Sequence, residues 1–135
     1  MIRMGLDMYL YGVKSNYWLH DYNIGQVKTV VEVGYWRKAN QIHQWFVDNI
    51  QRGFDNCATY YVSKEDLEQL KTICEEVLKH PEKAEELLPT QEGFFFGTTD
   101  YDEWYFNDIQ DTIEICKWCL EEKRGYDYFE YSSSW

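Results

Sequence analysis

The amino-acid sequence predicts a single α+β domain. A small, mostly antiparallel sheet that includes both terminal strands should be covered by three to four helices. Apolar residues alternate with polar or aromatic ones near both ends of the chain, whereas the interior has the three-to-four-residue apolar spacing of amphipathic helices. A chain of 135 residues fits one domain, residues 1–135, and should bury roughly two-thirds of its unfolded surface.

The first part of the chain contains two predicted strands separated by a predicted loop. Residues 5–13 alternate between aliphatic and polar or aromatic side chains, and residues 27–33 are rich in β-branched side chains. Residues 14–26 lack a sustained period and combine Ser, Asn, Asp and Gly with aromatic residues, which indicates an exposed loop.

Two longer elements follow in the middle of the chain. Residues 35–51 keep apolar side chains at the spacing of an amphipathic helix. After a short predicted strand at residues 59–62, Ser63 is placed to cap a second helix, and Asp66 can complete a capping box.

The last third of the chain predicts a short acidic helix at residues 81–88, a long helix and a closing strand. Residues 93–97 form a glycine-bracketed apolar run, which indicates a buried strand or a tight turn. Thr99 is the predicted cap of the long helix. Residues 126–131 alternate again as a strand, and residues 132–134 should fray. The predicted core face of the long helix comprises Tyr105, Ile109, Thr112 or Ile113, Cys116 and Leu120.

Charge is distributed unevenly along the chain. The net charge is −11, with +1 in residues 1–63 and −12 in residues 64–135. Such acidity disfavours direct nucleic-acid binding, which depends on Lys and Arg displacing counterions from phosphates. Solvated helix faces rich in Glu explain the acidity, and mimicry of nucleic acid toward a basic partner protein is an alternative explanation.

The sequence contains no secretory signal and no apolar run of membrane-spanning length, which predicts a cytoplasmic protein without membrane contact. The spacing of the four cysteines favours reduced, mostly buried thiols over disulfides or a metal clip. Cys116 is predicted to lie in the core, and Cys119 is predicted to be incidental.

Residues 34–46 (GYWRKANQIHQWF) carry the first half of a candidate ligand site. The guanidinium of Arg37 provides a fixed fork of donors, and an imidazole at position 43 could meet a planar or anionic ligand. The alternative is that the polar groups here bond to strand carbonyls and that the basic groups balance nearby acids. The predicted ligand-binding residues of this segment are Trp36, Arg37, Lys38, Asn40 and His43.

A second polar and aromatic segment should form the opposite wall of the same site, since both segments lie near predicted helix beginnings. Its candidate ligand-binding residues are Tyr101, Asp102, Glu103 and Tyr105. Helix capping alone accounts for acids in a first turn. Residues 100–102 begin like a calcium loop, but Trp104 stands where the third ligand belongs, so no metal site is predicted. No cofactor or catalytic residue is identified.

Three motifs together resemble a family of small, uncharacterised phage and prophage proteins. They are residues 4–10 (MGLDMYL), residues 34–46 and residues 93–106. The resemblance covers nearly the whole chain and implies a start at Met4. It implies no reaction, cofactor or catalytic residue. It does imply a setting in which small acidic proteins act stoichiometrically on host or defence proteins.

The leading functional hypothesis is therefore a phage-type accessory protein that binds a small polar or anionic ligand, or a host or defence protein, without turnover. The first alternative is a small hydrolase or phosphate-processing enzyme in which His43 acts as general base beside nearby acids. The second alternative is an acidic nucleic-acid mimic, whose binding to a basic partner would be sensitive to salt.

Overall fold

A computed structural model describes residues 5–20, 23–93 and 96–135, with the backbone alone at residues 16–20 and 23–27. Within these ranges it shows an α+β fold, as predicted, with a four-stranded antiparallel sheet and four α-helices. The strands are β1 (Asp7–His20), β2 (Asn23–Arg37), β3 (Tyr60–Val62) and β4 (Tyr128–Ser134). The helices are α1 (Asn40–Asn49), α2 (Lys64–Lys79), α3 (Ala84–Leu87) and α4 (Glu103–Leu120).

The sheet has the strand order β2-β1-β4-β3, so the first and last strands of the chain pair at its centre. This confirms the predicted inclusion of both terminal strands. Strand β4 extends to Ser134, which pairs with Asp7, so the prediction that residues 132–134 fray is wrong. Antiparallel pairing with β1 holds these residues in place despite their weak apolar pattern.

One face of the sheet is covered by helices. The side chains of Leu10, Phe129 and Tyr131 on this face are fully buried. Gly34 of β2 permits close packing by α4, because a Cβ at this position would lie 2.8 Å from Cγ2 of Ile115. The core stripe predicted for α4 is confirmed from Tyr105 to Cys116, whereas Leu120 is only partly buried. Cys119 is buried, with 2% exposure, so its prediction as incidental is wrong.

The predicted loop at residues 14–26 is wrong. Its described backbone belongs to β1 and β2, which pair from Asp7 with Arg37 to His20 with Asn23. Strand β4 begins at Tyr128, opposite Val13, so beyond Val13 only β2 pairs with β1 among the described residues. No third described strand therefore favours alternation of apolar and polar residues in this part of the sequence. The predicted loop aromatic Tyr22 lies outside the described residues, as do Phe94 and Phe95 of the predicted apolar run.

Two helix starts also differ from the prediction. Helix α1 begins at Asn40, because residues 34–37 pair with β1 instead of joining the helix. Helix α4 is capped by Asp102, whose Oδ1 accepts a hydrogen bond from the Tyr105 amide, and not by Thr99. The predicted capping box at the start of α2 is present. No helix in the described part of the chain is long and apolar enough to cross a membrane.

Candidate functional site

A pocket of about 270 Å³ lies where β2 ends and the first turns of α1 and α4 approach each other. It therefore joins parts of the chain that are about sixty residues apart in sequence. Its lining residues are Arg37, Lys38, Asn40, Gln41, Thr90, Gly97, Thr98, Asp100, Trp104, Tyr105 and Asp108.

The basic wall of the pocket is formed by Arg37 and Lys38. Arg37 is the last residue of β2, and its Nη1 lies 3.3 Å from Oδ1 of Asp7, which is its partner on β1. Its side chain remains 42% exposed. Lys38 has a φ of 57°, and its amide donates a 2.7 Å hydrogen bond to the carbonyl of Leu6. The left-handed backbone turns the chain from β2 into α1 at this wall.

The strain at Lys38 can be measured by comparing Lys38→Gly with Lys38→Ala. Both variants remove the ammonium group, but only glycine adopts a positive φ without steric cost. We expect Lys38→Gly to be more stable than Lys38→Ala by about 1 kcal/mol in urea unfolding. In regular secondary structure the alanine variant would be the more stable of the two. Equal stability would show that this φ carries no strain.

Asn40 holds the loop that forms the pocket's third side. Its side chain is 2% exposed, and its Nδ2 donates 2.9 Å hydrogen bonds to the carbonyls of Phe96 and Thr98. Its Oδ1 accepts a hydrogen bond from the Gln91 amide, also at 2.9 Å. Because the amide is occupied by these three bonds, Asn40 positions the wall of the pocket.

The α4 wall combines an exposed indole with a buried tyrosine. Trp104 is 67% exposed at the rim. Tyr105 is 4% exposed, and its hydroxyl donates a 2.7 Å hydrogen bond to the carbonyl of Leu88, while Nε2 of Gln41 donates to the Tyr105 carbonyl. These bonds connect α4 to α1 and to the end of α3, so the position of this wall is fixed by the fold.

Asp108 is an acidic pocket residue that the sequence analysis did not identify. Its pKa is raised from 3.8 to about 6, mainly by burial and in part by the charge of Asp111, while a hydrogen bond from Gln41 opposes the shift. A carboxyl that titrates near neutrality in a pocket is typical of functional sites. The signal in the sequence was its spacing, three residues after Tyr105, which places it beside the buried stripe of α4.

The raised pKa of Asp108 makes stability depend on pH. The folded state binds this proton more tightly than the unfolded state, so the contribution to stability is present below pH 3.8 and is lost as pH rises to about 6. We expect a loss of about 2 kcal/mol over this window relative to Asp108→Asn, from urea unfolding of both proteins across pH. A constant difference between the two proteins would contradict the shift.

His43 does not line this pocket. It is fully buried, with Nδ1 2.7 Å from the hydroxyl of Tyr131 and Nε2 2.8 Å from Oδ1 of Asp55. A neutral imidazole protonated at Nε2 donates to the carboxylate and accepts from the tyrosine, so both nitrogens are satisfied. The expectation that His43 faces a ligand is therefore corrected, because its nitrogens already contact the buried hydroxyl of Tyr131 and the carboxylate of Asp55 at the surface.

The other predicted site residues divide between the pocket and its supports. Arg37, Lys38, Asn40 and Tyr105 line the pocket. Trp36 does not, because it is 3% exposed and its indole N–H donates a 2.9 Å hydrogen bond to Thr112 in the core.

Tyr101, Asp102 and Glu103 are not among the lining residues either. The Tyr101 hydroxyl accepts a 3.1 Å hydrogen bond from the amide of Thr90, Asp102 caps α4, and Glu103 is exposed in its first turn. Each of the two predicted segments therefore lines the pocket with only some of its residues.

No group of three His, Cys, Asp or Glu side chains within the described ranges could hold a metal ion. Comparisons of the chain with protein-family models, with curated proteins and with solved structures found no significant match.

Proposed function

We propose that this protein binds a small polar ligand with an anionic group in the pocket between the end of β2 and the start of α4, and that it acts stoichiometrically. The observation that carries this proposal is that Arg37 and Lys38 lie side by side on one wall of the pocket, which is open to solvent. Basic side chains are scarce in a protein of net charge −11, and two of its thirteen lie together here.

The two basic residues suit an anion in complementary ways. The guanidinium of Arg37, whose Nη1 contacts Asp7, retains further N–H donors for a carboxylate or phosphate, and the ammonium of Lys38 adds a compact charge. Helix α1 begins beside them without a side-chain cap, whereas α2 and α4 are capped by Ser63 and Asp102. The free backbone dipole at such a helix start adds to the attraction.

The remaining lining residues define the rest of the ligand. The indole of Trp104 offers a flat apolar surface beside the lining residues Thr90 and Thr98. The two threonine hydroxyls hold the pocket loop, because that of Thr90 donates to the Thr99 carbonyl and that of Thr98 accepts from the Asp100 amide. A volume of about 270 Å³ is at the small end of ligand pockets, which favours a metabolite-sized molecule over a large cofactor.

A second candidate function is acid–base catalysis by Asp108, which the raised pKa of this pocket residue favours. It is favoured over the hypothesis of a hydrolase based on His43, because the imidazole is fully buried and both of its nitrogens already contact Tyr131 and Asp55. Asp108→Asn separates the two candidates, because a binding protein keeps its affinity for an anion and an enzyme loses turnover of a ligand that it still binds.

The biological setting is inferred from the resemblance to phage and prophage proteins. In that setting the protein acts in the cytoplasm of a host cell, and the ligand-bearing pocket or the surface around it engages a host or defence protein. Direct nucleic-acid binding is disfavoured by the net charge of −11.

Binding can be tested with inorganic phosphate and succinate as probes, by calorimetry on the purified protein and by native mass spectrometry for a retained molecule. We expect Arg37→Ala combined with Lys38→Ala to weaken binding about tenfold to a hundredfold, since charge-assisted hydrogen bonds are lost.

A matched control is Arg52→Ala combined with Lys79→Ala, which removes the same charge from exposed positions outside the pocket. Equal weakening by both double variants would indicate an unspecific charge effect. Absence of a retained molecule together with no response to either anion would refute the proposed function.

A further inference from the structure

The outer edge of β2 is the longest unpaired strand edge in the described part of the sheet. Strand β2 stands last in the order β2-β1-β4-β3 and runs for 15 residues, Asn23–Arg37. It pairs with β1 on one side only. A row of backbone N–H and C=O groups along such an edge is a template for pairing with another strand.

The described side chains do not shield this edge. Val30 is 49% exposed and Val31 is 41% exposed, and as successive strand residues they present apolar surface on opposite faces. The strand contains no proline, which would block further pairing. Its one described bulge, opposite Leu10 and Tyr11, lies toward the α1 end of the strand.

The charges on β2 are complementary to those of a second copy. Lys28 and Glu32 lie two residues to either side of Val30 and on the same face as each other. If two β2 strands pair antiparallel about a twofold axis at Val30, each Lys28 lies opposite the Glu32 of the other copy. Opposite charges in this position stabilise strand pairs, and like charges destabilise them.

This register is also central on the edge. Val30 is the midpoint of Asn23–Arg37, so a ladder centred there extends equally toward both ends of the strand, and the bulge at Val33 lies outside the segment from Lys28 to Glu32. Centring at Val31 instead would place Glu32 opposite Val30 and Lys28 opposite Gly34, which leaves both charges without a partner.

We propose that two copies of this chain associate through antiparallel pairing of their β2 edges centred on Val30, which joins the two sheets into one. Nζ of Lys28 lies 2.8 Å from Oε1 of Glu130 within one chain, with the lysine side chain 44% exposed. Exchange of this exposed ion pair for one with Glu32 of the other copy costs little. The charges therefore set the register, and backbone hydrogen bonds with burial of Val30 and Val31 supply the affinity.

Charge reversal tests both the partner and the register. In Glu32→Lys alone, two pairs of lysines face each other across the interface, and in Lys28→Glu alone, two pairs of glutamates do. We expect each variant to dimerise about tenfold more weakly than wild type in sedimentation velocity over a concentration series. An equimolar mixture of the two variants restores both pairings, so it should form a heterodimer with wild-type strength.

The matched control is Glu86→Lys, a charge reversal at an exposed position on α3, which should leave the dimer unchanged. Circular dichroism of each variant alone establishes that its fold is retained. A monomeric wild-type protein over the whole concentration series would overturn the proposal, as would failure of the mixed variants to associate. Neither result would bear on ligand binding in the pocket.

Discussion

Replacing His43 by alanine is expected to lower the free energy of unfolding by about 3 kcal/mol. The substitution removes a fully buried ring and leaves the hydroxyl of Tyr131 and the carboxylate of Asp55 without their hydrogen-bond partner. The ring also packs edge-on against Phe96. Urea unfolding followed by circular dichroism measures the loss, with the slope of the transition reporting whether the unfolded state has changed.

The control for this prediction is His80→Ala, at a histidine whose side chain is 46% exposed at the end of α2. It should change stability by less than about 0.5 kcal/mol. If His43→Ala were as stable as wild type but abolished turnover of a substrate, the structural role of the buried imidazole would be wrong and the hydrolase hypothesis would return.

Replacing Asn40 by alanine is expected to cost about 3 kcal/mol of stability and to weaken ligand binding at the same time. Three hydrogen bonds to the backbone of the pocket loop are lost, two from Nδ2 and one to Oδ1. The carbonyls of Phe96 and Thr98 and the amide of Gln91 then lose their side-chain partner. Hydrogen exchange should accelerate at the Gln91 amide, because that amide is the donor to Asn40.

Asn40→Asp separates the two halves of this network. Aspartate keeps an acceptor for Gln91 but cannot donate to the carbonyls of Phe96 and Thr98. We expect protection of the Gln91 amide to survive in this variant and the loop carbonyls to lose their anchor. Asn49→Ala, in which an exposed asparagine bonds only to the Trp45 carbonyl within the described contacts, is the matched control. A similar loss of stability in Asn49→Ala would argue against a special role for Asn40.

The elements predicted correctly are those whose local pattern reports burial. The terminal strands, α2 with its capping box and the core stripe of α4 follow from alternation, helical spacing and a hydroxyl at a helix start. The boundary between β2 and α1 was misplaced because Tyr35 continues the helical spacing of Ala39 and Ile42. Pairing with β1 keeps residues 34–37 in the strand. The positive φ of Lys38, where the chain turns, has no signal in the sequence.

The candidate site was predicted in part for the same reason. The aromatic and basic segment after Gly34 could be recognised from its composition, and it does border a pocket. The partners of each side chain could not be recognised, because they are distant in sequence. His43 meets Tyr131 88 positions later, and Asn40 meets Phe96 56 positions later. The roles of these side chains therefore depend on tertiary contacts, which place the imidazole of His43 in the interior and Arg37 and Lys38 at the pocket.

The most direct test of the proposed binding site is backbone and indole NMR of the whole chain during titration with inorganic phosphate or succinate. A ligand in the pocket should shift the amide signals of Lys38, Gly97 and Thr98 and the indole signal of Trp104, and leave those of α2 in place. Shifts centred on another surface, or no shifts at saturating anion, would contradict the account.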